Sequence, residues 1–200
     1  MTTAPLPLQR RQVLADLLPG AVVRDVGLVV AVAALTAVAA QIRIPIPLPG
    51  FPVPITGSTF AVLLGAAALG PVRGSAAQVL YVAAGLTGLP VFTGGNAGIT
   101  YAVGATGGYL VGFIVASAVV GALARRGADR RPPSAALAFV TGTVVIYACG
   151  VPWLMHVTGM PVQQALVSGM GVFLAGDALK ALAAAGLLPA AWRIAGGEHR

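Results

Sequence analysis

The chain is poor in charged residues. Only 8% of its 200 residues are Asp, Glu, Lys or Arg, whereas about a quarter of positions are charged in a typical soluble domain. None occurs between Arg73 and Arg125 or between Arg131 and Asp177, which leaves uncharged stretches of 51 and 45 residues. A membrane-spanning helix needs about 20 apolar residues, so each stretch has room for two spans. The scarcity of charge excludes an ordinary soluble domain and predicts an all-α membrane protein.

Other absences exclude several classes of function. A single cysteine, Cys149, permits no internal disulfide. Five acidic residues in all leave few general acids or bases, and the sequence has no Walker A, HExxH or GxSxG motif. His156 has no cluster of further metal ligands around it in sequence. We therefore expect neither catalysis, nor a metal, nor a cofactor. The net charge of +7 is better explained by membrane topology than by nucleic-acid binding.

Apolar sequence is abundant and falls into six segments. Hydrophobic residues make up 58% of the chain, and the mean hydropathy is +0.91. Because Pro and Gly are tolerated in membrane helices, they exclude none of these segments. We predict six transmembrane helices, at about 26–42, 55–71, 74–91, 105–124, 134–155 and 168–191.

The positive residues predict the orientation of the six spans. Ten of the twelve lie in the two tails and in the loops after the second and fourth segments. Arg43 alone lies in a loop on the other side, and Lys180 falls within the sixth segment. Positive residues concentrate on the cytoplasmic side, so we expect both termini in the cytoplasm. The predicted units are a cytoplasmic tail over 1–24, a six-helix membrane domain over 25–192 and a second cytoplasmic tail over 193–200.

The loop after the first segment, residues 44–57, is rich in proline yet apolar. Its five prolines lack amide donors and forbid a regular helix. Irregular backbone at membrane depth must be buried in protein or line a cavity. We expect this loop, which ends near Thr56, to act as a lid or a pocket wall.

The sixth segment contains an acid and a base at membrane depth. Asp177 and Lys180 are three residues apart, which places them on one helix face. Such residues are normally paired or face an aqueous site, because each costs about 2.5–3.5 kcal/mol to insert. A purely structural ion pair is one interpretation. We favour a polar ligand site, with Asp177 about nine residues, or ~14 Å, inside the outer end of the helix.

A glycine-rich loop, residues 88–99, is a second candidate for ligand contact. Gly95 and its neighbouring glycines allow close backbone approach, and the Asn96 side chain carries both a donor and an acceptor suited to a urea or amide. A turn-forming asparagine is an equally good interpretation. Phe92 and Tyr101 flank this loop. An interfacial aromatic belt is the default explanation for them, and a pocket wall is the alternative.

Three further features predict packing between helices. Gly108 and Gly112 form a small pair four residues apart, typical of close helix contact. Alanines at 33 and 37 and small residues at 36 and 40 form a similar face on the first segment, which is suited either to a partner helix or to internal packing. Gln78 and Tyr81 are expected to make interhelical hydrogen bonds rather than to touch a ligand.

Five sequence motifs together resemble the BioY family of biotin transporters. These transporters are the substrate-capturing S components of energy-coupling factor (ECF) importers. The resemblance extends over roughly residues 26–190 and is carried by PVPITGSTFAVLLGAAALGPVRG (52–74), GLPVFTGGNAGI (88–99), TGGYLVGF (106–113), GVPWL (150–154) and FLAGDALK (173–180), in this order.

The resemblance implies a six-helix bundle in the cell membrane that binds biotin from the outer face. It also implies a transmembrane coupling protein and a pair of ABC ATPases as partners, with biotin as ligand and no cofactor. Asp177 would accept hydrogen bonds from the urea and Asn96 would bond the ring urea, while Lys180 would pair with the ligand carboxylate or keep Asp177 ionised. The loop from Ile44 to Thr56 would cover the ligand. The expected substrate-binding residues are Asp177, Lys180, Asn96, Gly95, Phe92, Thr56 and Tyr101.

Competing interpretations are an S component for another vitamin and a stand-alone facilitator without an ATPase module. A membrane enzyme or a structural scaffold is a more distant class. An enzyme would be expected to carry more than one acidic residue at membrane depth, and here only Asp177 qualifies.

Overall fold

The computed structural model describes residues 12–18, 20, 22–44 and 53–197. In this part of the chain nearly all regular structure is helical. Two short strands, β1 (Arg43–Ile44) and β2 (Ile55–Thr56), pair antiparallel. The α-helices are α1 (Val22–Gln41), α2 (Ser58–Leu69), α3 (Pro71–Leu86), α4 (Gly98–Ala102), α5 (Gly107–Arg125), α6 (Pro132–Thr158), α7 (Val162–Gly169) and α8 (Leu174–Gly197).

Four segments of the described chain are long and apolar enough to cross a membrane. They are Val22–Gln41, Gly107–Arg125, Pro132–Thr158 and Val162–Ala195. Large apolar side chains also lie on the outside of the bundle, among them Val23 and Val26 of α1, which are 88% and 57% exposed. Lipid solvates such surfaces, whereas water would penalise them. The chain is a multi-pass membrane protein.

Each of the six predicted segments overlaps one of the longer helices, but the predicted end of the third and both predicted ends of the sixth are wrong. The third segment was expected to reach residue 91, whereas α3 ends at Leu86. Gly88 follows at a φ of +100°, a left-handed conformation that glycine adopts at little cost. The sixth segment was expected to cover 168–191, but α7 continues to Gly169, the chain bends at Met170, and α8 runs from Leu174 to Gly197.

The bend before α8 changes the environment of Asp177. The carboxylate lies in the first turn of α8, not nine residues inside a helix as predicted. Backbone N–H groups at a helix start carry partial positive charge, which favours an ionised carboxylate. The helix end thereby offsets part of the cost of holding this charge away from water.

Glycines bring α5 and α6 into close contact. A Cβ atom added to Gly108 would lie 2.3 Å from the Cβ atom of Trp153, and one added to Gly112 would lie 3.0 Å from the Cα atom of Ile146. Side chains at these positions would push the helices apart. The predicted packing role of this glycine pair is confirmed.

The small face of α1 is used inside the chain. Ala33, Thr36 and Ala40 are buried, and the Nε2 group of Gln78 on α3 donates to the Thr36 hydroxyl at 3.3 Å. Of the two interpretations of this face, internal packing is the one that the structure supports. The interhelical hydrogen bond expected of Gln78 is also present.

Charged residues gather at one end of the bundle, where the chain turns from α2 to α3 and from α5 to α6. Arg73 forms ion pairs with Asp16 and with Asp25. Burial works against the charged form of Asp16, but the hydrogen bonds from Arg73 and from the Val13 amide, together with nearby positive charge, outweigh it and hold the pKa of this carboxyl below its ordinary value. The ion pairs tie the turn before α1 to the start of α3.

A second polar cluster joins the α5–α6 turn to α8. Asp129 is 1% exposed and accepts a hydrogen bond from the indole of Trp192 at 2.6 Å. The guanidinium of Arg130 lies 4.2 Å from the centroid of the same ring, within the range of a cation–π interaction. These contacts hold the end of α8 against the bundle.

Candidate ligand-binding site

The opposite end of the bundle contains a cavity with about 610 Å³ of space, including its open mouth. Its walls include residues of β2, α2, α3, α4, α5, α6 and α8, so helices distant in sequence converge on it. The lining residues are Val53, Pro54, Thr56, Ser58, Thr59, Tyr81, Thr93, Tyr101, Thr106, Tyr109, Leu110, Phe113, Ile146, Tyr147, Phe173, Asp177 and Lys180.

Asp177 is the acidic residue of this lining, and its side chain is 10% exposed. One carboxylate oxygen accepts a hydrogen bond from the Tyr147 hydroxyl. The other accepts from the ammonium group of Lys180 at 3.2 Å. Both oxygens thus have one donor each. A carboxylate has about four acceptor sites, so Asp177 retains capacity for a ligand N–H group.

Lys180 is the only basic residue of the lining within the described chain, and its side chain is 21% exposed. Its ammonium donates to the carbonyl of Thr56 at 3.0 Å and to the hydroxyl of Thr59 at 2.7 Å. With the bond to Asp177, these contacts use all three donors of the ammonium group. Lys180 therefore links α8 to β2 and α2. The ion pair between Asp177 and Lys180 is present, as the structural interpretation expects. It borders a cavity, as the ligand-site interpretation expects.

Aromatic rings form one wall of the cavity. Tyr101 stacks on Phe92 with ring centroids 5.1 Å apart, and Tyr81 meets Phe92 edge-on at 5.7 Å. Both tyrosines line the cavity, whereas Phe92 is fully buried behind them. Tyr81 was expected to make an interhelical hydrogen bond away from any ligand, and that expectation is wrong because its ring faces the cavity.

The glycine-rich loop is held by its own hydrogen bonds. The side-chain amide of Asn96 donates to the Thr93 carbonyl at 2.7 Å, and the Gly95 amide donates to the side chain of Gln41 at 3.0 Å. Neither Asn96 nor Gly95 lines the cavity, whereas Thr93 does. Of the seven predicted site residues, four lie together around the cavity and three do not line it. The four are Asp177, Lys180, Thr56 and Tyr101, and the three are Phe92, which is buried, and Gly95 and Asn96, which are exposed.

The residues expected to bind substrate included neither Tyr147 nor Tyr109. Tyr147 bonds the critical carboxylate, and the Tyr109 hydroxyl donates to the Gly169 carbonyl at 2.8 Å beside the cavity. The sequence holds only four tyrosines, and all four line this one cavity. Their scarcity was the signal that could have found them. Residues 45–52 of the predicted covering loop lie outside the described part of the chain.

The fold and the site define a class of protein: a multi-pass helical membrane protein with a small-molecule cavity near one end of its bundle. The cavity offers one carboxylate, one fully hydrogen-bonded ammonium group and four aromatic hydroxyls. A pocket that mixes apolar walls with a few oriented polar groups is suited to a specific small ligand.

Comparison with known proteins identifies the family. The sequence pattern of the BioY family matches residues 9–197. A probable biotin transporter BioY of Lysinibacillus sphaericus is 43% identical over 122 residues, which are 61% of this chain and 60% of that relative. A probable biotin transporter BioY of Pyrococcus horikoshii is 36% identical over 161 residues, which are 80% of this chain and 91% of the relative. The chain belongs to the BioY family.

A solved structure supports the same fold. The crystal structure of the S-component for biotin from an ECF-type ABC transporter superposes with a TM-score of 0.76. The superposition covers 86% of this chain and 92% of that one, at 24% sequence identity. This likeness establishes that the helices share the arrangement of an S-component.

Proposed function

We propose that this protein captures biotin outside the cell and takes part in its uptake as the S component of an ECF-type importer. The observation that carries the proposal is the nearly buried Asp177 carboxylate in a tyrosine-lined cavity. Tyr147 and Lys180 each donate a hydrogen bond to it and fix its position. The names of its relatives, which are biotin transporters, point to the same ligand. The role is transport rather than catalysis.

The chemistry of biotin matches this lining. Biotin has a cyclic urea with two N–H donors and a carbonyl acceptor, an apolar thioether ring and a chain that ends in a carboxylate. In the proposal, Asp177 accepts hydrogen bonds from the urea N–H groups, and Tyr101 packs against the apolar rings. Lys180 holds Asp177 and Thr56 in place through its hydrogen bonds to both. Phe92, Gly95 and Asn96 support the wall and the loop.

The proposed arrangement in the cytoplasmic membrane has six spans with both termini inside. In this arrangement α1, α2, α3, α5, α6 and α8 cross the membrane, over the proposed domain of residues 25–192. The two cytoplasmic tails cover residues 1–24 and 193–200. The support is the gathering of Arg73, Arg125 and Arg130 at the end of the bundle away from the cavity, since arginines concentrate on the cytoplasmic side.

The proposed partners are a transmembrane coupling protein and ABC ATPases. The chain itself has no Walker A sequence, so it has no P-loop with which to hydrolyse ATP. The structural relative is the S-component of an ABC transporter, and in that arrangement energy for release inward comes from the partner subunits. Biotin uptake that persists in a host without any coupling protein would favour a stand-alone facilitator instead.

The direct test is biotin binding by the purified protein in detergent. We expect saturable binding, and we expect Asp177→Asn to weaken it by about 10- to 150-fold, which corresponds to about 1.5–3 kcal/mol for a hydrogen bond to a charged group. Isothermal titration calorimetry measures the affinity, and circular dichroism checks that the variant remains helical.

Asp25→Asn is the matched control, because it makes the same chemical change to a carboxylate at the far end of the bundle. We expect it to leave biotin affinity unchanged. Thermal stabilisation by a panel of vitamins distinguishes the alternatives, because a bound ligand raises the unfolding temperature. Stabilisation by a different vitamin, with none by biotin, would contradict the assigned substrate.

A further inference from the structure

Biotin carries a negative carboxylate, and the one cation in the lining of the described cavity, Lys180, is fully hydrogen-bonded. The Lys180 ammonium already donates to Thr56, Thr59 and Asp177 at 2.7–3.2 Å. An ammonium group has three N–H donors, so pairing with a ligand would require breaking one of these bonds. A cation that is free to meet the carboxylate therefore has to be another residue.

Arg43 is not itself a lining residue, but it lies beside Thr56, which is. It pairs with Thr56 across the two-stranded ladder, and side chains of directly opposed residues stand on the same face of a ladder. Thr56 lines the cavity and accepts the hydrogen bond of Lys180. One strand therefore separates the Arg43 backbone from the polar centre of the site.

The guanidinium of Arg43 reaches the glycine-rich loop, residues 88–99. Its Nη1 atom lies 2.6 Å from the point where a Cβ atom on Gly94 would stand, and the Asn96 side-chain amide lies 3.5 Å from that point. Gly94 follows Thr93, which lines the cavity. The absence of a side chain at Gly94 leaves room for the guanidinium. The Arg43 side chain thus extends from the two-stranded ladder to the glycine-rich loop.

Arg43 has no acidic partner in the described chain. The ion pairs there engage Asp16, Asp25 and Asp177 with other cations, and Asp129 bonds Trp192 at the far end of the bundle. The sequence of residues 45–52 contains no Asp or Glu. The Arg43 side chain is exposed, so its charge is available to an incoming anion.

We infer that Arg43 binds the carboxylate of the ligand at the mouth of the cavity, while Lys180 positions Asp177 and Thr56 without contacting that carboxylate. A guanidinium binds a carboxylate through two parallel hydrogen bonds. The ligand then lies with its urea near Asp177 and its chain directed outward between Thr56 and Thr93. This inference rests on the proposed binding of biotin.

The test compares biotin with biotinamide, in which a neutral amide replaces the carboxylate, on the full chain in detergent. We expect the wild-type protein to bind the acid more tightly than the amide. Arg43→Gln should weaken binding of the acid by about five- to tenfold, at the upper range for an exposed ion pair, and leave binding of the amide unchanged. Lys180→Met should weaken acid and amide by similar factors.

Arg193→Gln is the matched control, since it removes the same charge from an exposed arginine at the other end of the bundle, and both affinities should stay unchanged. Equal weakening of acid and amide by Arg43→Gln, or no weakening, would overturn the inference. So would a Lys180→Met variant that weakens only the acid. If Arg43→Gln binds neither compound, the Arg43→Lys variant is measured instead. Tighter binding of biotin than of biotinamide by this variant supports the inference, and equal binding of the two overturns it. A wild-type protein that binds neither compound refutes the proposed function itself.

Discussion

At the scale of single residues, the two most buried carboxylates of the described chain have different surroundings. Asp177 has a donor on each oxygen and lies at a helix start. Asp129 has a donor on one oxygen only, and its Oδ1 atom has no hydrogen-bond partner. Burial raises the pKa of Asp129, although the Trp192 hydrogen bond opposes part of the rise. Hydrogen bonds therefore stabilise both oxygens of the Asp177 carboxylate. The buried Asp129 carboxylate has one oxygen without a donor, and this lowers the stability of the folded protein when the group is ionised.

Replacing Asp129 with Asn should stabilise the protein at neutral pH. A raised pKa means that the folded state binds the proton more tightly than the unfolded chain, so the ionised form lowers stability above that pKa. The loss disappears as the pH falls through the raised pKa toward the ordinary value of 3.8. We expect Asp129→Asn to raise the thermal midpoint by about 2 °C at pH 7.5, with the difference vanishing near pH 4. A lower midpoint at pH 7.5 would show that the carboxylate stabilises the cluster.

At the scale of elements, the contact between α5 and α6 depends on glycine. These helices supply Tyr109, Phe113, Ile146 and Tyr147 to the cavity. Their separation is set by Gly108 and Gly112, where an added Cβ would meet Trp153 or Ile146 at 3.0 Å or less. Close backbone approach thus determines where two of the tyrosine hydroxyls lie.

Gly108→Ala tests this dependence. The new methyl group would lie 2.3 Å from the Cβ atom of Trp153 and 2.5 Å from the Cys149 carbonyl oxygen, so the helices must separate, at a cost of about 1–3 kcal/mol. We expect a lower thermal midpoint and weaker biotin binding. Gly186→Ala in α8 is the control, since a Cβ there meets nothing within 4 Å and should be neutral or stabilising by up to ~1 kcal/mol. Equal midpoints for the two variants would contradict this account.

At the scale of the whole molecule, the bundle has two chemically different ends. One holds the ion pairs of Arg73 and the Asp129 cluster. The other holds the cavity, and Arg43 is the arginine placed there. If the first end faces the cytoplasm, the cavity opens outward and the positive residues follow the usual membrane asymmetry.

Cysteine labelling in intact cells tests that orientation. Cys149 is first replaced by Ala, and single cysteines are then introduced at Thr87 and at Pro133, both exposed and at opposite ends of the bundle. A membrane-impermeant maleimide should label Thr87→Cys in intact cells and Pro133→Cys only after the cells are opened. The reverse pattern would place the cavity on the cytoplasmic side.

The amino-acid sequence by itself determined the membrane class, the approximate positions of the six longer helices and the placement of Asp177 and Lys180 on one helix face. These follow from the length of apolar runs, about 20 residues for a spanning helix, and from the spacing of three or four residues that places side chains on one helix face. Both are properties of neighbouring residues in the sequence. The sequence also indicated the close contact at Gly108 and Gly112, because glycine removes the side chain that would prevent it.

Only the tertiary structure decided which residues share the cavity. Tyr147 reaches Asp177 across 30 positions and Lys180 reaches Thr56 across 124, and such contacts depend on how helices pack and where loops return. Asn96 satisfies its amide within its own loop, a choice that hydrogen-bonding capacity alone does not determine. Local patterns specify helices and neighbouring pairs, whereas the relative placement of helices selects the partners of each polar group.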